Sequence, residues 1–352
     1  MPKETMTPKE RWLAVLQHKT PDRTPMDYWG TDEATTKLLR LLGCAEPGEM
    51  SRGLHIEGVG GGGPRYAGPP IAPDRDVFGC GYRNISYGLG VYRECVFHPL
   101  AQYETLDEIN ANYTWPNPDW WDYSTLPDQI KGKEEYPIQG GGSEPFLIYC
   151  QLRGLEQAYI DLLTDPEMAL TCLDKLFDLA YENTVRIYEQ LPGKVTLSYV
   201  AEDFGSQVSL LFSPQVIREV FIPRMKRMID LAHQAGVYVF HHSDGAIRPI
   251  LPDMIAAGID LLNPIQWRCA GMERAGVKAD FGSQVVLHGG MDNQQTLAFG
   301  SVDEVRTEVL ENLAVLGEGG GYILAPCHNI QAVSPGENII AMYETCYANG
   351  WQ

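Results

Sequence analysis

The chain has 352 residues, 44% of them apolar and 21% charged, with a formal net charge of −19. That apolar share excludes global disorder, and the acidic balance argues against nucleic acid or an anionic membrane as a partner. The eight cysteines, at 44, 80, 95, 150, 172, 269, 327 and 346, form no CxxC pair, which fits free thiols in a reducing compartment better than a disulfide framework.

The N-terminal MPKETMTPKERW is polar rather than a secretory apolar core. No apolar run approaches the ~20 residues that span a bilayer, so a cytoplasmic protein is expected. Ser/Thr-x-x-Glu patterns at Thr7–Glu10, Thr105–Glu108, Thr164–Glu167, Ser301–Glu304 and Ser334–Glu337 read as capping boxes. Pro8, Pro214 and Pro335 each follow a Ser or Thr, the place of a first helical residue. These signals predict helices near 8–18, 165–190, 214–235, 302–316 and 335–348. The second carries Met168, Cys172, Leu173, Leu176, Phe177 and Ala180 at helical spacing, a core-facing stripe.

Residues 50–135 are rich in Gly, Pro and aromatics, and read as an insertion suited to a lid. Within it, VYRECVFH alternates after a Gly-containing turn and predicts a hairpin. Gly60–Gly63 lead into a proline rather than a helix, so they read as a loop and not as a phosphate cradle. Tyr113, Trp115, Trp120 and Trp121 read as packing on the domain, with a pocket lid as the rival.

Five β-rich runs follow at 195–205, 237–245, 260–266, 285–292 and 319–328. Each is apolar at its start and polar or Gly-rich at its end. Helical stretches separate most of them, which implies parallel βαβ units in one domain over residues 1–352. In a parallel barrel all strand C-termini face one way, and sites are built there. Glu202, Asp203, His241, His242, Asp244, Asn263, Gln266, His288, Asp292, Cys327 and His328 all fall at or just after strand ends.

His242 and Asp244 are two apart, so an extended strand presents both on one side. With a second histidine from another strand, His328, they compose a three-ligand set for catalytic zinc with a fourth position open, or for iron. The same letters fit an ordinary strand-to-helix turn in which Ser243 or Asp244 caps a helix. Glu202 and Asp203 read as a cap or as groups that orient ligands, and His288 as a satisfied core histidine.

AEDFGSQ, FHHSDGAIRPILPDMIAAGIDLLNPIQ, FGSQVVLHGGMD and GGGYILAPCHNIQAVSPGENI, with ERWLAVLQHKTPDRTPMDYW near the N-terminus, resemble the uroporphyrinogen decarboxylase superfamily. The resemblance implies an α/β fold, a (β/α)8 TIM barrel with the site at the strand C-terminal face. True decarboxylases of the superfamily carry an Arg-containing MRQAGR stretch and a GNxDP loop; here the chain reads PMDYWGTDEATTK and GGMDN. The chain is more similar to the corrinoid-dependent methyltransferase branch. Laid on that branch's zinc motif, the histidine falls on His242, the first cysteine on Asp244 and the last on His328, with Cys327 adjacent.

The resemblance thus implies a zinc-dependent methyltransferase working with a corrinoid on a separate protein, since no DxHxxG cobalamin motif is present. His242, Asp244 and His328 are the implied ligands, with Cys327 as competitor. Glu202 or Asp203 would position or protonate a leaving group, and Gln207, Gln266 and Asp292 would hold a small substrate. The rival reading is a metal-free decarboxylase or other lyase in which His328 and Asp203 act as acid–base groups.

Overall fold

The computed structural model describes residues 3–352. Its centre is one seven-stranded sheet, β1 (Gly60–Gly61), β2 (Ile138–Ser143), β3 (Leu197–Ala201), β4 (Tyr238–His242), β5 (Leu261–Ile265), β6 (Val286–Met291) and β7 (Tyr322–Pro326). The strands stand in sequence order and every pairing is parallel. The sheet curls until its two edges reach the same segment. Leu324 N donates to Pro25 O and Asp27 N to Leu324 O, while Glu57 N, just before β1, donates to Met26 O.

The alternation along the strands sorts inside from outside. Leu197, Phe240, Leu261, Val286 and Ile323 point inward and pack on Trp12, Val15 and Leu16 of the helix Pro8–Leu16, which plugs one end. Val200, Val239, Leu262, Leu287 and Leu324 point outward into the larger core beneath the surrounding helices. Two residues beyond the inward layer stand Tyr199, His242, Asn263 and His288, so the polar residues lie at the end away from the plug.

Helix signals held where a hydroxyl and a carboxylate could both reach the backbone. Thr7, Thr105 and Ser301 each form a full capping box. Two expected boxes are absent. The helix Pro166–Gln190 is capped by Asp165, one residue on, because Thr164 still belongs to the preceding helix and bonds back to Ile160 O. The last helix, Gly336–Asn349, begins after Pro335, which sits at the cap position, and the Ser334 hydroxyl is buried without a partner. The helical stretch expected at 214–235 contains a π turn at Ile217–Phe221, upstream of Pro223, which has no N–H to return to Glu219 O.

In the insertion, Gly81–Ser86 and Val91–Phe97 form the expected antiparallel hairpin. The glycine run is not wholly loop: Gly60 and Gly61 pair with Ile138 and Gln139 and make β1. Tyr113 and Trp115 meet edge to face, and Lys175 of the helix Pro166–Gln190 lies over Trp115. All eight cysteines are free, and no helix among the described residues is long and apolar enough to cross a membrane.

Candidate metal centre

β4 ends at His242 and turns at once through Asp244, while β3 ends just before Glu202 and Asp203. Adjacent parallel strands in register carry these ends side by side. The His242 Nε2 lies 3.7 Å from Asp203 Oδ1 and 3.9 Å from Asp244 Oδ1. One donor atom from each of the three falls within 4.8 Å of the others. Asp203 is 47% exposed at its side chain and His242 is 6% exposed, so the group opens to solvent on the carboxylate side.

A buried relay decides which nitrogen of His242 faces that opening. Asp27 is a carboxylate and can only accept; its Oδ2 lies 3.1 Å from His288 Nε2 and also accepts from Trp29 Nε1. His288 therefore donates from Nε2, and its Nδ1 accepts from Asn263 Nδ2 at 2.7 Å. That orients the Asn263 oxygen toward His242 Nδ1, 2.5 Å away, which must be its protonated nitrogen. Nε2, the nitrogen that can offer a lone pair to a cation, is left facing Asp203 and Asp244. Asn263 and His288 are 1% and 0% exposed, so water does not compete for these bonds. The ring of His242 is held further by stacking on Trp29 and Tyr199.

The carboxylates are positioned as well. Asp203 Oδ1 accepts from Asp244 N, and Asp244 Oδ1 accepts from Gln266 Nε2 at 2.8 Å. Gln266 Oε1 accepts in turn from Gly245 N, whose φ of +91° suits glycine. His328 Nε2 lies 3.8 Å from Asp244 Oδ2, and its ring centroid is 6.4 Å from that of His242. Burial pushes the Asp244 carboxyl up, against the pull of His242 and His328.

The other residues picked out from the sequence are placed differently. The Cys327 thiol is buried and donates to Ile265 O at 3.1 Å, and burial pushes its pKa well up. Both Glu202 oxygens accept from Phe146 N, at the start of the helix Pro145–Arg153. Burial holds that carboxyl well above the ordinary carboxylate range. Gln207, Gln266 and Asp292 line one small pocket of about 130 Å³ with Arg268. Within it Asp292 Oδ2 accepts from Arg268 Nε at 2.7 Å and from Gln295 N and Thr296 N. His241 faces away, donates from Nδ1 to Val200 O, and is pushed down to about 4 by burial.

Sequence reasoning missed Asp27, the far end of the relay, and two further residues here. Asn263 was noted only as a polar strand end, although the relay turns on it. Glu144 follows β2, whose IQGGGS letters hide a strand. Burial pushes its carboxyl up to about 7, with His242 pulling down and Asp203 and Asp244 pushing up. A carboxylate directly after a strand, as in AED and HSD on the next two strands, was the available signal.

The donor set suits a divalent cation. One imidazole nitrogen and two carboxylate oxygens are ligand types that zinc and iron both accept, and two metal-bound donors at tetrahedral angles stand roughly 3.4 Å apart. The observed 3.7 and 3.9 Å separations need shifts of about half an ångström.

The family model described as uroporphyrinogen decarboxylase (URO-D) matches residues 125–348. Uroporphyrinogen decarboxylases of two Legionella pneumophila strains, Philadelphia 1 and Lens, are each 24% identical over 224 residues, 61% of this chain. The matched stretch spans 59% of those relatives' own length. Among solved structures, a methyltransferase from Methanosarcina mazei superposes with a TM-score of 0.69 over 97% of this chain and 99% of that one, at 18% identity. That likeness establishes a shared fold. The chain belongs to the uroporphyrinogen decarboxylase family.

Proposed function

We propose that this chain is a metal-dependent methyltransferase of its superfamily, moving a methyl group between a small substrate and a corrinoid carried on a separate protein. The observation that carries the reading is the Nε2 of His242, held by the Nδ1 bond to Asn263 so that it faces two carboxylates. Asp203, His242 and Asp244 would hold the metal, zinc in the first instance, with His328 next in reach of Asp244. Cys327, bonded to Ile265 O, stays outside the set. Bound there, the metal would supply Lewis acidity toward a substrate heteroatom.

This chain's own residues do the rest. Asn263, His288 and Asp27 keep the His242 lone pair aimed at the opening. Gln266 fixes Asp244. Glu144, with a pKa near 7, holds a proton that it delivers to the heteroatom when the methyl group leaves. Glu202 anchors the helix Pro145–Arg153 and thereby the backbone next to Glu144. Gln207 lines the small pocket on the other side and would offer its amide oxygen to a polar part of the substrate. On this reading the curled sheet and the segment at 25–27 would together serve as the (β/α)8 barrel expected of the superfamily.

A metal-free lyase remains the second reading, because the family description and the curated relatives are decarboxylases. The acidic character of the centre weighs against it, since Asp203 and Asp244 repel a substrate rich in carboxylates. Metal analysis after exhaustive dialysis separates the two. The methyltransferase reading expects one zinc per chain, lost in His242→Ala. A metal-free wild-type protein that cannot be reloaded would support the lyase.

A further inference from the structure

A hollow of about 380 Å³ lies at the plug end of the sheet, away from the metal centre. Lys9 reaches it from the plug helix Pro8–Leu16, Lys131 and Lys133 from the turn before β2, and Lys194 from the turn before β3. Four of the chain's ten lysines thus line one site, in a chain whose net charge is −19. Backbone bonds fix these segments against one another. Lys9 N donates to Glu135 O and Thr196 N to Ile138 O, while Tyr136 N to Lys133 O and Lys194 N to Leu191 O close the two turns. Ile138 and Leu191, 3% and 4% exposed, form an apolar floor with Ile130.

We propose that this hollow binds an organic polyphosphate, a nucleotide-like anion with a ring for the floor and two or more phosphate charges for the lysines. Uncompensated charge is the first reason. Lys9, Lys131 and Lys194 form no ion pair or side-chain hydrogen bond among the described residues, and Lys133 Nζ reaches only Gly61 O, at 3.4 Å. Glu134 is the one acid in the lining, and its carboxylate already accepts from Gly132 N at 3.1 Å. Four ammonium groups around one hollow repel each other, and a multiply charged anion relieves that repulsion where a single carboxylate would not. Residue type is the second. Lysine meets phosphate oxygens as a compact point charge from any side, whereas a planar carboxylate is held best by the arginine fork, and no arginine lines the hollow. Shape is the third. The volume falls in the ~300–1,000 Å³ range of sites for small organic ligands, and inorganic phosphate alone would leave Ile130, Ile138 and Leu191 uncovered.

Calorimetric titration of the full chain in magnesium-free, low-salt buffer tests this with four probes: ADP, adenosine, inorganic pyrophosphate and decanoate. ADP is expected to saturate one site per chain and to weaken as salt is added. Adenosine, which lacks the charge, and pyrophosphate, which lacks the ring, should each bind roughly tenfold more weakly or worse. Decanoate, one charge on an apolar chain, should do the same. Lys131→Ala combined with Lys194→Ala should weaken ADP roughly tenfold or more with circular dichroism and melting temperature unchanged. Lys226→Ala, whose lysine pairs with Asp230 on another helix, should leave ADP binding as it is. His242→Ala should also keep it, so failure of the metal reading and failure of this one give different patterns. No saturable ADP binding, full ADP affinity in the double lysine variant, pyrophosphate or decanoate bound as tightly as ADP, or loss of ADP from His242→Ala would overturn the proposal.

Discussion

His242 donates its Nδ1 proton to the side-chain oxygen of Asn263 across 2.5 Å, and neither group meets bulk water. The direction of that bond is imposed from further back, by Asp27 through His288. A carboxylate that touches no ligand thus fixes the tautomer of the one imidazole placed to bind a cation.

Asn263→Ala removes the acceptor and leaves the Nδ1 proton buried and unpaired. Loss of such an outer partner costs ~10–100-fold in metal affinity. Competition with a chromophoric chelator measures it. Zinc affinity is expected to fall in that range while the fold persists, and an unchanged affinity would remove the relay from the account.

Asp203→Ala and Asp244→Ala each delete one carboxylate of the group. Asp244 is the better anchored, through Gln266, so its loss is expected to abolish stoichiometric zinc, while loss of the exposed Asp203 weakens binding. Cys327→Ser should leave zinc stoichiometry as it is, because that thiol is turned to Ile265 O.

Glu144 gives a pH signature in the metal-free protein. Its carboxyl rises from 4.5 to about 7 on folding, chiefly through burial, with His242 opposing and the two aspartates adding. Between those values the unfolded chain has released a proton that the folded chain keeps, so stability falls as pH rises from about 4.5 to 7. Glu144→Gln should flatten that part of a melting-temperature profile. An identical slope in the variant contradicts the assignment.

Asp22 works in the opposite sense at the other end of the domain. Burial acts to raise its pKa, but the Arg11 guanidinium and the N–H groups of Thr5 and Met6 outweigh it and hold the carboxyl at about 2 rather than 3.8. Its stabilisation is complete above about pH 4 and is lost as pH falls through 2, a contribution of about 2 kcal/mol. Acid titration of folding should show this limb in the wild type and lack it in Asp22→Asn.

Much of this was legible in the letters. Five strands appeared as apolar runs ending in polar residues, and the His242–Asp244 spacing gave two neighbours of the centre, because strand geometry fixes which residues share a face. β2 was not legible, since GGGS suppresses the apolar signal, and Glu144 went unseen with it. Asp203 was visible but was given an acid–base role; only the parallel register of β3 with β4 puts its carboxylate beside His242. Cys327 and His328 are adjacent in sequence, and the backbone direction after β7 alone turns the thiol inward to Ile265 and the imidazole toward Asp244. The relay joins residues up to 261 positions apart, a separation at which spacing carries no information.

X-ray absorption at the zinc edge, on protein loaded with one equivalent of zinc, tests the centre most directly. A shell of nitrogen and oxygen at about 2.0–2.1 Å with no sulfur, lost in His242→Ala, is the expected result. A sulfur scatterer at about 2.3 Å, or zinc that binds equally well without His242, would contradict it.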